Sequence, residues 1–499
     1  MSGIKNLAGQ TMWYGVSSIA ARFINYLLTP YLTYKLTVAD YGKMGLVYSA
    51  IPLLNVLFTY GLETSYFRFS QRKEFQNSVY STASISLIFS TVFLSFVLWF
   101  TQHSLAAFAG IPDYPQLIQL SIIIIALDAL CTLPFAKLRQ EGRPVKFAFI
   151  RIMSILINIG ATIFFISVCP ALLAENPNHW VGLFYHSEVN PVTYIVIANV
   201  IQSAITFILL LPQIGEINLK FNTVLWKEMM IYSLPLILVG MGGMINETFD
   251  RLMLRWLVPG DITFKEEQVG IYNACYKLSI LISLFIQAFR MGAEPFFFKQ
   301  SEQIDPQKTY ARVMKLFVIT ITFMFLVVSL FLPIWRYFIA DKHWSGLAVV
   351  PILLLANMFL GIYYNLSIWY KLSNKTLVGA YITLIGVGIT LIINGIFIKW
   401  YGFMACAWAT FFCYGSMMVI SFIWGQKHYH IPYAWKKLVA YIVIVVLLFL
   451  IHKGVTYFVP NLLVNMLLAT LLLLSYSWFI LLIERNELKK LPLLGKFIR

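Results

Sequence analysis

The chain has 499 residues, of which 60% are hydrophobic and only 12% charged, and its formal net charge is +16. A soluble chain carries roughly 25% charged residues, and no water-soluble core hides this much apolar surface, so the solvent for most of the protein is lipid. The basic balance invites a nucleic-acid partner, but the basic residues fall in short segments between apolar runs, and no soluble module is left to present them.

The opening MSGIKNLAGQ is polar, and the apolar run after it continues well past the length of an h-region, so no cleavable signal peptide is expected. In chain order, apolar runs lie near residues 11–36, 43–66, 79–101, 116–138, 146–169, 192–212 and 229–257. Seven more lie near 268–298, 310–339, 347–370, 376–399, 401–424, 437–458 and 461–483. Each is long enough for the ~20 residues that a helix needs to cross a bilayer. No stretch reads as alternating ten-residue strands, which argues against a barrel, and helices satisfy their own backbone groups as lipid demands. The predicted class is an all-α integral membrane protein with fourteen transmembrane helices.

Charge placement agrees with that count. With the N-terminus in the cytoplasm, the inner loops and ends hold 24 Lys and Arg and the outer loops six. The positive-inside bias predicts such an asymmetry, so both termini are expected to be cytoplasmic. The five cysteines, Cys131, Cys169, Cys275, Cys406 and Cys413, are scattered without disulfide or metal spacing. His428 and His430 sit in a basic loop and read as solvated, so no metal site is predicted. The longest outer loop, 170–191, holds Glu175, His179, His186 and Glu188 without a nucleophile–base arrangement. A membrane glycan polymerase or ligase is therefore disfavoured, and no catalytic residue is assigned.

Shifted against itself by 229 residues without a gap, the sequence places Arg22 on Arg251, Pro30 on Pro259, Phe67 on Phe296, Phe69 on Phe298 and Gln71 on Gln300. Six spans per half give the halves one orientation, and parallel repeats of this kind build transporters with a site between the halves. The expected division is a first six-helix lobe over 1–215, a second over 216–428, and two additional helices with a basic tail over 429–499.

The chain resembles the polysaccharide exporters, and especially the O-antigen flippases, of the multidrug/oligosaccharidyl-lipid/polysaccharide (MOP) exporter superfamily. The resemblance rests on the first-span pattern running into ADYGKMG, on NETFDRLML in the seventh span and on VGIYNACYKL opening the eighth. Val269, Gly270 and Tyr272 match a Val-Gly-x-Tyr stretch of that family. Fourteen spans fit the polysaccharide and lipid II branches, whereas twelve fit the drug and cation exporters. The resemblance implies a MATE-like fold of two six-helix lobes plus two extra helices, a central cavity, and alternating access in the bacterial inner membrane. It implies a polyprenyl-diphosphate-linked glycan as cargo, with a lipid II flippase or a cation-coupled multidrug exporter as the alternatives. No cofactor is expected beyond coupling to protons or sodium. The expected partners are the bilayer, the lipid-linked glycan and the glycan polymerase machinery, with no nucleic acid.

Residues 244–254, MINETFDRLML, carry Glu247, Asp250 and Arg251 inside an apolar run. Each charge at a bilayer centre costs about 2.5–3.5 kcal/mol on insertion scales, so each needs a reason to be there. Glu247 and Arg251 are spaced i,i+4, acid first, which suits a local ion pair that locks the lobe. The other reading uses the excess of cations. Arg22 has no acid within a helical turn, and Arg290 has Glu294 at i,i+4. The candidate cavity cations are Arg22, Arg251, Arg255, Lys277 and Arg290, since guanidinium forks suit diphosphate oxygens. The repeat places Arg22 and Arg251 so that they face each other across the cavity. Glu63, Glu247 and Asp250 are the candidate coupling or ion-pair carboxylates. Arg151 and Arg336, near span ends, are expected to snorkel. Pro235, Gly240, Gly242 and Gly243 precede the charge cluster and mark either a hinge or close helix packing.

Overall fold

The computed structural model describes residues 19–20, 22–301, 305–373 and 375–489. Those residues are helical almost throughout and contain no β-strand. Thirteen helices among them are long and apolar enough to cross a membrane. They match the second to fourteenth expected runs, and the first, near 11–36, falls partly outside the described residues.

The long helices are α1 (Leu28–Lys35), α2 (Val38–Thr59), α3 (Leu62–Phe69), α4 (Val79–Phe100), α5 (Pro115–Gln140), α6 (Pro144–Ile163) and α7 (Pro191–Leu209). They continue with α8 (Thr223–Leu257), α9 (Ile262–Gln300), α10 (Pro306–Leu330), α11 (Val349–Leu366), α12 (Thr376–Tyr401), α13 (Phe403–His428), α14 (Trp435–Phe458) and α15 (Leu462–Ile483). Local sequence sets many of the starts. Proline stands at the first turn of α5, α6, α7 and α10, where its missing N–H costs nothing. The side chains of Thr37, Asn190, Asn222 and Asn461 accept from backbone N–H groups one turn on and cap α2, α7, α8 and α15. α2 and α3 form one bent span, broken at Tyr60 and Gly61, both of which have positive φ (32° and 71°).

α2 and α4–α7 pack into one lobe and α9–α13 into a second. α8 links them, packing on α2 and α3 as well as on α9, α12 and α13. Two of its three clustered glycines serve close approach. A Cβ at Gly240 would lie 2.8 Å from Val56 of α2, one at Gly242 would lie 3.1 Å from Thr383 of α12, and one at Gly243 would meet nothing within 4 Å. The lobes also meet directly where α2 crosses α9, at the end of the bundle that the charge bias assigns to the outside. There Lys43 of α2 lies 3.2 Å from Asp40 and 3.7 Å from Glu266 of α9, and Asn190 donates to Asp40 at 2.7 Å.

α14 and α15 pack beside α10. Tyr476 and Thr322 share a buried hydrogen bond of 2.7 Å, and buried Glu484 lies 2.9 Å from Lys315 and 2.5 Å from Lys437.

Candidate functional site between the lobes

A cavity of about 300 Å³ lies between the lobes, lined from α1, α2, α6 and α7 on one side and from α8 and α9 on the other. It is reached by Glu247, Arg251 and Lys277 but not by the remaining candidate residues.

Arg251 is buried, and its partner differs from the one that the i,i+4 spacing suggests. Its guanidinium pairs with the adjacent Asp250 at 2.9 Å and takes from Glu247 the backbone carbonyl, at 2.8 Å, rather than the carboxylate. α9 decides this. Tyr272 donates its hydroxyl to the other oxygen of Asp250 at 2.6 Å, Asn273 accepts from Arg251 Nε at 3.4 Å, and the Tyr276 ring lies 4.4 Å beneath the guanidinium. Asp250 is thus an ion-pair carboxylate held behind the cavity wall. Glu247 is exposed, lines the cavity, and has no ion-pair partner among the described residues. Lys277, also on the wall, has neither a hydrogen-bond nor an ion-pair partner among the described residues.

The other candidates are dispersed. Arg22 bonds to Gln287 of α9, whereas Arg251 bonds to Asn273 of the same helix. Fourteen residues separate those two positions, about 21 Å along a helix axis, so the two arginines do not face each other at one level. Arg255 packs against Gly110, where a Cβ would fall 2.5 Å from its side chain. Arg290 lies 3.8 Å over the Tyr364 ring, and the side chain of Glu294 lies outside the described residues. Glu63 pairs with Arg139 of α5, away from the cavity. Arg151 is stacked 4.1 Å over Phe135 and Arg336 4.2 Å over Trp344.

The residues that sequence reasoning passed over are uncharged: Asn25, Tyr48, Asn158, Asn199, Asn273 and Tyr276 all line the cavity. The four asparagines among them stand inside apolar spans, where a buried polar group needs a partner, but the sequence does not say whether that partner is a neighbouring helix or a ligand.

Two helical lobes enclosing a polar, membrane-embedded cavity define a multi-pass transporter of the flippase type. The chain belongs to the polysaccharide biosynthesis protein family, matched over residues 7–301, and so to the polysaccharide exporters of the MOP superfamily. It is 22% identical over 370 residues to an uncharacterized membrane protein of Haemophilus influenzae, covering 72% of this chain and 81% of that one. Its fold is similar to that of the lipid II flippase MurJ in an inward closed conformation, with a TM-score of 0.65, 14% identity, and 95% and 99% of the two chains covered. It is also similar to an inward-facing multidrug resistance MATE family transporter of the MOP superfamily, with a TM-score of 0.62, 14% identity, and 84% and 94% covered.

Proposed function

We propose that the protein flips a polyprenyl-diphosphate-linked oligosaccharide across the bacterial inner membrane by alternating access, with both termini in the cytoplasm. The observation that carries this reading is Lys277, an ammonium in the cavity wall without a counter-ion among the described residues. A charge at this depth is costly unless something neutralises it, and a diphosphate headgroup does so. Arg251 contributes less net charge than its type suggests, because Asp250 already balances it.

Glu247 adds a coupling step. Its carboxylate faces the same cavity, and as an anion it opposes a diphosphate. A proton or sodium ion at Glu247 removes that repulsion, so cargo and cation favour one another's binding. This supports cation-coupled transport and keeps a lipid II cargo as the nearest alternative, since it carries the same diphosphate.

The test is translocation of a fluorescent polyprenyl-diphosphate glycan by the purified chain in proteoliposomes. Lys277→Gln should abolish it while leaving insertion and the size-exclusion profile unchanged, and Lys277→Arg should retain part of it. Undiminished translocation by Lys277→Gln would refute the reading. Single cysteines at Ser2 and in loop 170–191 should label from opposite faces; labelling from the same face refutes the orientation.

A further inference from the structure

The two walls of the cavity differ in chemistry. Every charged residue that lines it, Glu247, Arg251 and Lys277, stands on α8 or α9. The facing wall, from α1, α2, α6 and α7, carries no charge; its polar groups are amides, hydroxyls and phenols. Two of these are held without partners. Asn158 is 9% exposed and Thr162 is 0% exposed, and Asn158 Oδ1 and Thr162 Oγ1 have no hydrogen-bond partner among the described residues. They lie four residues apart on α6, one above the other, and both line the cavity. On the neighbouring α7, Asn199 donates its amide N–H to the Tyr48 hydroxyl at 3.1 Å, which leaves the Tyr48 proton and the Asn199 carbonyl for a ligand.

Buried polar groups are nearly always satisfied, so an unpartnered amide oxygen beside an unpartnered hydroxyl in a cavity wall calls for a ligand that supplies both donors and acceptors. A phosphate offers acceptors and negative charge and belongs with Lys277. A hydrocarbon chain satisfies none of these groups. A bound cation draws on carboxylates, and this wall has none. Sugar hydroxyls each donate and accept, and the half-buried Tyr48 ring stands beside them to meet the C–H surface of a pyranose.

We infer that Asn158, Thr162, Asn199 and Tyr48 form a subsite for the first sugar of the cargo, opposite the wall that holds the diphosphate. This inference rests on the lipid-linked glycan reading above. It makes this wall the part of the cavity that separates one glycan from another, while the opposite wall recognises what all such lipids share.

The test is equilibrium binding to the full chain in detergent. The probes are farnesyl diphosphate and three farnesyl-diphosphoryl sugars carrying glucose, galactose or N-acetylglucosamine. At least one sugar probe should bind about tenfold tighter than the bare diphosphate, the gain expected from one or two well-made hydrogen bonds. Asn158→Leu should abolish that preference and leave the affinity for bare farnesyl diphosphate unchanged. Thr162→Val, nearly isosteric and safe for folding, should reduce it. Lys277→Gln should weaken all four probes equally. Equal affinity of the wild type for all four probes overturns the subsite and leaves the diphosphate reading standing. So does a preference that neither Asn158→Leu nor Thr162→Val alters, or stabilisation by sodium without any effect of sugar. A preference that persists while Lys277→Gln leaves bare farnesyl diphosphate unaffected supports the subsite and refutes the role of Lys277.

Discussion

Gly42 of α2 and Gly270 of α9 hold the two lobes together backbone to backbone: a Cβ at Gly42 would lie 1.9 Å from the carbonyl oxygen of Glu266, and one at Gly270 would lie 2.1 Å from that of Val38. No side chain can move aside to relieve either contact, because both obstacles are main chain. The proposed alternating access requires this crossing to open, and its tightness would then set how far the closed state is favoured. Gly42→Ala should act on the closed state alone, by overpacking worth about 1–3 kcal/mol. That shifts the balance toward outer opening roughly 5- to 150-fold. A cysteine at Ile280, which lines the cavity, reports the shift: its labelling by an impermeant maleimide from outside should accelerate. An unchanged rate would show that the crossing is not a gate.

The Asp250–Arg251 pair makes a prediction about stability rather than transport. Both side chains are buried, and Tyr272 completes the carboxylate. Asp250→Leu strands the guanidinium and should destabilise by about 3–5 kcal/mol, because an uncompensated buried charge costs that much. Asp250→Leu with Arg251→Leu removes both charges and should recover most of the loss. Thermal melts in detergent separate the cases: a double variant no better than Asp250→Leu alone would mean that the pair does more than balance charge.

Much of this architecture could be read from hydropathy, because lipid forces long apolar helices and leaves their ends visible as proline, capping residues and basic loops. The side chains were less legible. The spacing of Glu247 and Arg251 shows that they can meet, but Tyr272 and Asn273 on another helix turn Arg251 toward Asp250 instead. The ungapped repeat equated Arg22 with Arg251, yet α8 ends six residues beyond Arg251, at Leu257, whereas the first run continues fourteen residues beyond Arg22 to Leu36. Depth in the bundle therefore differs even where the letters align. Asn158 and Asn199 were overlooked because one amide in an apolar helix looks the same in sequence whether it packs on a neighbour or faces a cavity.

His343 provides a pH test outside the spans. It lies in the short turn Asp341–Gly346, fully buried, with its ring edge-on to Tyr41 of α2 at 5.4 Å and neither ring nitrogen bonded. Cys275 of α9 contacts its carbonyl, and the charges on its own turn are Lys342 and Asp341. Burial first, and Lys342 second, push the imidazole down to about 4. An unfolded histidine titrates near 6.5, so between those values the unfolded chain binds the extra proton and stability falls as pH falls. From pH 6.5 to 5 the loss should be on the order of 2 kcal/mol. His343→Leu should flatten the melting temperature over that window. A wild-type melt indifferent to pH between 7 and 5 would contradict a buried neutral ring.

The last prediction concerns α14 and α15, which fourteen-span exporters have and twelve-span ones lack. Glu484 follows directly after α15 and is 2% exposed. It accepts from Tyr441 of α14 at 2.6 Å and pairs with Lys437 of α14 and Lys315 of α10. Glu484 therefore ties three helices together at one end, beside the Arg312–Glu487 pair at 2.7 Å, while apolar contacts and the Thr322–Tyr476 and His452–Asn465 hydrogen bonds hold the rest. Burial raises the Glu484 pKa, but hydrogen bonds from Lys437, Tyr441 and Lys315 outweigh it and leave the group below the usual carboxylate range. Its contribution is thus present above about pH 4.5 and is lost as pH falls through the lowered folded value. Glu484→Gln keeps the shape and the tyrosine bond but removes both ion pairs: Lys437 then faces a neutral group, and Lys315 keeps only Glu487, 3.9 Å away. The expected result is a less stable protein whose damage is confined to this pair of helices. Hydrogen exchange should quicken at the ends of α14 and α15 that flank Glu484, with α2 and α9 unchanged. Lys437→Met added to Glu484→Gln should restore part of the protection. Uniform loosening of both lobes would instead show that the extra pair is integral to the transporter core.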